Sequence, residues 1–331
     1  MTDSLIILCA WIGKDDNNLA TNRGIHMKML CIDGGGIRGV FPIAILQAIE
    51  EEYQKPVGEL FDVIAGTSTG SIIAASAALN TPMEKVMESY QNYGEKIFVK
   101  KAKVGLFKSV YSDRYLRRLL KRAFKDVALG DIKKPLLIPA VDITHGKPYV
   151  HRSDFGFSEK GELLIKLWDA VLSSCSAPIY FPPNNVNNQF LSIDGGLWAN
   201  NPSLVGVTES LHHFKVNLRD IKILSIGTGQ QRIDFTMDDE KYWGIRQWLP
   251  FHFPSLKVTP KLLDLAMDLS SESVSYHCRL LLGEHYFRIN KELTEEIPFD
   301  DVSFMAELKE LGKQVYKERK DEIASFLSAV D

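Results

Sequence analysis

Leu60-Phe61-Asp62-Val63-Ile64-Ala65-Gly66-Thr67-Ser68-Thr69-Gly70-Ser71-Ile72-Ile73-Ala74-Ala75-Ser76-Ala77-Ala78-Leu79 is the stretch on which the fold turns. Leu60–Ala65 is an apolar run of strand length, and Ser71–Leu79 reads as an alanine-rich helix packed on both sides. Between them, Gly66-Thr67-Ser68-Thr69-Gly70 fits G-x-S-x-G. A strand that turns sharply through glycines into a helix lifts the serine hydroxyl off the strand's end. It also sets the following helix N-terminus beside any negative charge that develops there. Alone, the pentapeptide would suit any glycine-serine turn.

The same grammar occurs just upstream. Met29–Ile32 is a short apolar run ending in Asp33-Gly34-Gly35-Gly36, and Val40–Tyr53 carries Val40, Ile43, Ala44, Leu46, Ala48 and Ile49 at helical spacing. Strand, glycine turn and helix, twice over, predict an α/β fold with a parallel sheet and crossover helices. Further strands are expected at Leu136–Ile143 and Ile221–Ile226, and helices at Arg114–Phe124, Leu163–Leu172 and Met305–Phe326. No repeat or linker divides the chain, so residues 27–331 read as a single domain, with 230–331 the part on which the motifs say least.

Asp33–Gly39 also contains G-x-G-x-x-G. A dinucleotide fold would want an acidic residue at a second strand's end about 20 residues on. Here that distance falls at Tyr53–Gly58, after a run of helical glutamates, and G-K-[ST] is absent. Glycine amides at a helix start serve equally well as an oxyanion hole, and Arg38 would add positive charge or hold the loop. A nucleotide-dependent oxidoreductase therefore stays as the alternative, beside a non-catalytic binding or storage protein.

The third element is Asp194-Gly195-Gly196, 126 residues after Ser68. A carboxylate with two glycines behind it has little bulk around it, and in a dry site it becomes basic enough to deprotonate a serine. A lone D-G-G is more often a turn, and its weight comes from the company of the other two motifs.

Asp33–Gly39, Gly66–Gly70 and Asp194–Gly196, in that order, resemble the oxyanion loop, nucleophile elbow and D-G-[AG] motif of the patatin-like phospholipases. Ser176–Pro183, Asn200-Asn201-Pro202 and Leu224–Gly229 resemble the family as well. The resemblance runs from about Met27 to Gly229, with Ser71 standing where the family often has another glycine. It implies a three-layer α/β/α fold, a modified α/β-hydrolase with a mostly parallel central sheet. It also implies a Ser–Asp dyad without histidine, acting on acyl esters of phospholipids or galactolipids with no metal and no other cofactor. Carried over, Ser68 is the nucleophile and Asp194 the base. Thr67, Thr69 and the glycines Gly66 and Gly70 form the elbow, and Gly195 and Gly196 complete the acid motif. Gly34, Gly35, Gly36, Ile37, Arg38 and Gly39 supply the oxyanion hole, with the amides around Gly35 and Gly36 at its centre. Within the family the signatures are most similar to compact bacterial members, some of them antiviral effectors switched on by cyclic dinucleotides. A Ser-His-Asp triad is the competing mechanism, for which His212, His213, His252, His277 and His285 all follow the acid in sequence, none in a motif of its own.

Composition narrows the partners. The chain has 331 residues, 45% hydrophobic and 24% charged, and a net charge of −3 that argues against a nucleic-acid polymer. Cys9, Cys31, Cys175 and Cys278 lack C-x-x-C spacing, which suits a reducing, cytoplasmic compartment and gives no zinc site. No apolar run is long enough for a membrane span, so association with a membrane's inner face would be peripheral. Residues 1–26 read as a leader, a cloning remnant or a native arm. Against the net charge, residues 96–125 hold eleven Lys or Arg and one acid, Asp113. On a helix over Arg114–Lys125, the cations Arg114, Arg118, Lys121, Arg122 and Lys125 share a side, and Leu116, Leu119, Leu120 and Ala123 share another. Such a side is either a solvated face or an anion-binding patch, for phospholipid head groups or a cyclic dinucleotide activator. Trp243, Trp248, Phe251 and Phe253, with Pro250 and Pro254, form an aromatic cluster suited to a lid, a membrane-docking loop or an inward-packed loop. The partners expected are thus membrane phospholipid as substrate, an anionic activator, and a second copy of the chain in a homo-oligomer.

Overall fold

The structure is a computed structural model that describes residues 27–98, 109–155, 160–231, 251–252, 257–258 and 261–328. Residues 1–26, part of the basic segment and nearly all of the aromatic cluster therefore lie outside the described residues. The strands are β1 (Met27–Ile32), β2 (Val63–Gly66), β3 (Leu136–Asp142), β4 (Lys147–Arg152), β5 (Asn184–Val186), β6 (Phe190–Asp194), β7 (Ile221–Ile226), β8 (Phe251–His252), β9 (Lys257–Val258) and β10 (Tyr286–Ile289). The α-helices are α1 (Val40–Tyr53), α2 (Thr69–Ala78), α3 (Met83–Ile97), α4 (Asp113–Phe124), α5 (Lys160–Leu163), α6 (Leu167–Ser174), α7 (Gly196–Ala199), α8 (Ser203–Glu209), α9 (Lys261–Leu282) and α10 (Met305–Ser328).

The central sheet runs in the order β10-β7-β1-β2-β3-β6-β5, with β4 paired to β3 off this path, and β8 and β9 form a separate hairpin. From β10 through β3 neighbouring strands are parallel, and β4, β5 and β6 add antiparallel pairs. Side chains alternate across β1: Leu30 and Ile32 enter the layer built by α1, α2, α3, α4, α6 and α10, and Met29 and Cys31 enter the layer built by α8 and α9. Both faces of β1 and β7 are thus covered, which explains why these strands read as unbroken apolar runs.

Strand register decides where the site forms. β4 occupies one edge of β3 from Leu137 to Asp142. The other edge is shared: β2 holds Leu136 and Leu137, and β6 arrives antiparallel to hold Ala140 to Asp142. The C-terminal ends of β2 and β6 therefore meet head to head beside Pro139, with Ser68 just beyond one and Asp194 at the end of the other.

Two expectations are revised. The helix expected over Leu163–Leu172 is broken, because Ile165 accepts from the Leu129 N–H and Lys166 bridges to Ala128, and α6 starts only at Leu167. The strand expected from Leu60 starts at Val63, since Leu60 closes a 3-10 turn on Val57. Tyr53–Gly58, where a dinucleotide fold would need its acidic residue, is the end of α1 and the following turn, as the run of helical glutamates predicts.

Candidate active site

Ser68 is the hinge between β2 and α2. Its backbone sits at φ 53°, ψ −124°, a conformation that L-residues adopt only when their surroundings impose it. The surroundings do so here. A Cβ on Gly66 would lie 2.1 Å from the Gly70 carbonyl oxygen, and one on Gly70 would lie 2.3 Å from that of Ile32. Gly66 thus lets the strand close onto the first turn of α2, and Gly70 lets that turn press against the end of β1. Thr67 Oγ1 donates to Ala199 O at 2.6 Å, and Ser71, in place of a glycine, returns its hydroxyl to Ser68 O at 2.6 Å.

The serine and the acid touch. Ser68 Oγ donates to Asp194 Oδ2 at 2.6 Å, and Gly196 N–H donates to Asp194 Oδ1 at 2.7 Å. Asp194 is buried, and burial pushes its carboxyl up to about 6 against the opposing pull of those two hydrogen bonds. Proton affinity is therefore high without a histidine. A Cβ on Gly195 would fall 2.2 Å from Pro139 O, so only glycine lets this turn follow β3. From the other side, Ser174 Oγ donates to Pro139 O at 2.6 Å and accepts from Ser68 N at 2.8 Å, tying the serine turn to β3. Sequence reasoning did not single out Ser174. Its only signal was a place next to the Ser176–Pro183 stretch.

The glycine loop lies over the serine. A Cβ on Gly34 would come within 3.1 Å of Ser68 Cβ, and one on Gly39 within 2.5 Å of Thr69 Oγ1. Of the loop's N–H groups, Gly34 gives its own to Asn200 O, Ile37 to Phe299 O and Arg38 to Gly35 O. Among the described residues no acceptor takes the N–H of Gly35 or Gly36, which leaves these two as the free donors of the loop. Gly36 stands at φ +58° with Phe299 O 2.4 Å from where a Cβ would be. Gly35 is packed on Thr228, whose hydroxyl donates to Gly34 O at 2.8 Å. Arg38 points away from the serine. It is buried over the Phe299 ring and hydrogen-bonded to Gly35 O and Gly229 O, so it holds the loop. Burial raises Asp264 to about 7 and Asp268 to about 6, with the Arg38 guanidinium pulling both down.

Two anchors of this loop lie where the motifs are silent. Arg288 on β10 grips Asp33 with both guanidinium nitrogens, at 2.6 and 2.8 Å, and Ser271 Oγ on α9 donates to Asp33 Oδ2 at 2.5 Å. Nothing around Arg288 or Ser271 in the sequence marks them.

From Ser68 and Asp194 a cavity of about 410 Å³ opens between α2, α3 and α4. Ile72, Val86, Ile97, Leu116, Leu120 and Phe181 line it, and Tyr90 reaches Thr69 through its hydroxyl. Helix α3, which forms one wall, was not anticipated from the sequence, although Met83, Val86 and Met87 bury at helical spacing. The exposed Lys85 and Arg122 flank the cavity's outer part. On α4, Leu116, Leu120 and Phe124 are buried and Arg114, Arg118, Lys121, Arg122 and Lys125 are exposed, with Lys121 resting on the Trp168 ring. Arg117, not part of the expected patch, turns inward to Asp113 and Asn184.

Of the histidines whose side chains are described, none is hydrogen-bonded to Ser68 or Asp194 or lines the cavity, and His213 pairs with Glu209; the His252 side chain lies outside the described residues. Among the described residues no cluster of His, Cys, Asp and Glu could hold a metal, and no helix is long and apolar enough to cross a membrane.

The chain resembles known proteins along most of its length. The model of the family described as patatin-like phospholipase matches residues 30–205. Patatin-like protein 2 of Arabidopsis thaliana is 31% identical over 343 residues, covering 88% of this chain and 82% of its own. Patatin-like protein 1 of the same plant is 29% identical over 352 residues, covering 89% and 82%. A cGAMP-activated phospholipase of Pseudomonas aeruginosa is 27% identical over 275 residues, covering 81% and 79%.

Proposed function

The chain belongs to the patatin-like phospholipase family, and from that premise we propose that it is a serine acyl hydrolase acting on phospholipid esters through a Ser68–Asp194 dyad. The observation that carries this reading is the 2.6 Å hydrogen bond from Ser68 Oγ to a buried carboxylate at the inner end of an apolar cavity. Asp194 takes the hydroxyl proton as Oγ attacks the ester carbonyl carbon. The carbonyl oxygen becomes an oxyanion stabilised by the N–H groups of Gly35 and Gly36. Collapse of the tetrahedral intermediate breaks the bond to the alcohol oxygen, and Asp194 returns its proton to that leaving group. The acyl chain, now an ester of Ser68, is released when Asp194 deprotonates a water that attacks the same carbon; the carbon–Oγ bond then breaks and Asp194 returns the proton to Ser68 Oγ.

The apolar walls of α2, α3 and α4 suit an acyl chain, and the cations flanking the outer cavity suit an anionic membrane surface. Similarity to a cGAMP-activated phospholipase supports a finer reading, in which a cyclic dinucleotide switches the enzyme on and the α4 cations receive it, as in an antiviral effector. Fatty-acid release from mixed phospholipid vesicles, measured with and without a panel of cyclic dinucleotides, tests both levels. Release that depends on Ser68 establishes the hydrolase. Release that rises with one dinucleotide establishes the activator, and no release from any ester under either condition overturns the reading.

A further inference from the structure

Helix α9 is apolar on two opposite faces. Its inner face, carrying Met267, Val274, Cys278 and Leu282, is buried against the sheet and its neighbouring helices. Half a revolution away, at 3.6 residues per turn, Leu269, Ser273, Tyr276 and Leu280 form a single outward stripe. Leu269, Tyr276 and Leu280 are 59, 61 and 69% exposed. The spacings of four, three and four residues are those of a coiled-coil seam, with a small residue, Ser273, leaving room for a close neighbour. Single exposed leucines are ordinary, but large apolar side chains recurring along one stripe of an ordered helix mark an interface.

We propose that this stripe pairs with the same stripe of a second copy of the chain, the two α9 helices running antiparallel about a two-fold axis between Val274 and Ser275. The stripe is symmetric about that point. Leu269 and Leu280 are equidistant from it, as are Ser273 and Tyr276. A two-fold rotation therefore sets each leucine against the other leucine of the second copy, and each tyrosine over a serine, which is what an isologous interface demands. Charge agrees with this geometry. Glu272 and Arg279 lie on the same flank of the stripe, and across an antiparallel pair like flanks meet. Each glutamate thus faces the arginine of the other copy, once on each side of the axis.

A lipid surface is the less favoured occupant. Glu272 borders the stripe, and α9 and the cationic α4 belong to layers on opposite faces of the sheet, so one membrane could not engage both. The pairing also has a consequence for the site. Ser271, on the inner face, holds Asp33, and Met267 lines the cavity, so the helix braced by its twin is the one that secures the glycine loop.

Sedimentation of the full chain tests this without reference to its chemistry. At micromolar concentration the wild type should sediment at twice the chain mass. The double change Leu269→Glu with Leu280→Glu should dissociate it at least a hundredfold more readily, with an unchanged circular dichroism spectrum. Glu272→Arg should weaken the pair, and adding Arg279→Glu should restore it. For a readout independent of those variants, chains carrying Ser273→Cys mixed with chains carrying Tyr276→Cys should form an inter-chain disulfide on oxidation that the wild type lacks. A wild type monomeric at 100 µM would overturn the proposal, as would pairing that the glutamates leave intact without that cross-link. Vesicle co-sedimentation of a monomer, abolished by the same glutamates, would reassign the stripe to a membrane.

Discussion

Asp33, which opens the glycine loop, and Arg288 of β10, 255 residues further along the chain, form a buried two-pronged ion pair. The pair fastens the loop over Ser68 to the edge strand of the sheet, and Ser225 and Ser271 complete the guanidinium's partners. Arg288→Met would strand the Asp33 carboxylate in a dry site, and breaking a buried pair in this way costs about 3–5 kcal/mol. The expected outcome is a clear fall in melting temperature together with a loss of turnover, read by calorimetry and by ester hydrolysis on the same preparation. Wild-type stability in the variant would mean that Asp33 does not depend on Arg288.

Ser68→Ala should leave the fold intact and abolish esterase activity. Loss of a serine nucleophile typically costs on the order of a million-fold in turnover, and the Ser68 side chain supports no packing that alanine would remove. Turnover within tenfold of wild type in the folded variant would sink the assignment.

Asp194 makes two predictions about pH. Its carboxyl titrates at about 6, so turnover should fall as pH drops through 6, when the base becomes protonated. Stability should move the other way. A carboxyl whose folded value is raised stabilises the fold fully below its ordinary value near 4, and that contribution is lost as pH rises through 6. Asp194→Asn removes the buried charge, so the variant should be inactive yet more stable than wild type at pH 8, by on the order of 3 kcal/mol. The gap should close near pH 3. Alanine at His212, His213, His252, His277 or His285, one at a time, should leave turnover within a few-fold, and a thousand-fold fall at any of them would restore the triad.

Gly36→Ala combines a side chain at φ +58° with a Cβ placed 2.4 Å from Phe299 O. Displacing this N–H should lower turnover roughly a hundred- to a thousand-fold while the affinity for substrate changes little. Steady-state kinetics on a soluble ester separates the two. An effect confined to the Michaelis constant would remove Gly36 from the oxyanion hole.

Neutral replacements at Arg118, Lys121 and Arg122 should reduce affinity for anionic vesicles on the order of a hundredfold, since each cation at such a surface is worth about 1 kcal/mol. Hydrolysis of a soluble ester by the already active enzyme should survive. Co-sedimentation across a salt series reads the membrane contribution, and calorimetry with cyclic dinucleotides reads a saturable site. Equal behaviour of variant and wild type in both would leave these cations a solvated face.

What the amino-acid sequence determined by itself was the local chemistry. The runs that become β1 and β7, the helix that becomes α1, the G-x-S-x-G turn and the D-G-G turn all depend on neighbours within a few residues, and periodicity and glycine placement report such neighbours directly. Ser68 and Asp194 could be named for that reason. What only the tertiary structure decided was how those pieces meet. The shared edge of β3, where β2 and β6 end head to head, brings Ser68 to Asp194. The Ser174 hydroxyl ties Ser68 to Pro139 of β3, and Arg288 and Ser271 anchor Asp33. The break before α6 was hidden for the same reason, because Ile165 and Lys166 are held by Leu129 and Ala128 rather than by their own helix. Each of these is a hydrogen bond or strand pairing between residues tens to hundreds apart, whose free energy exists only once the chain has closed the loop between them.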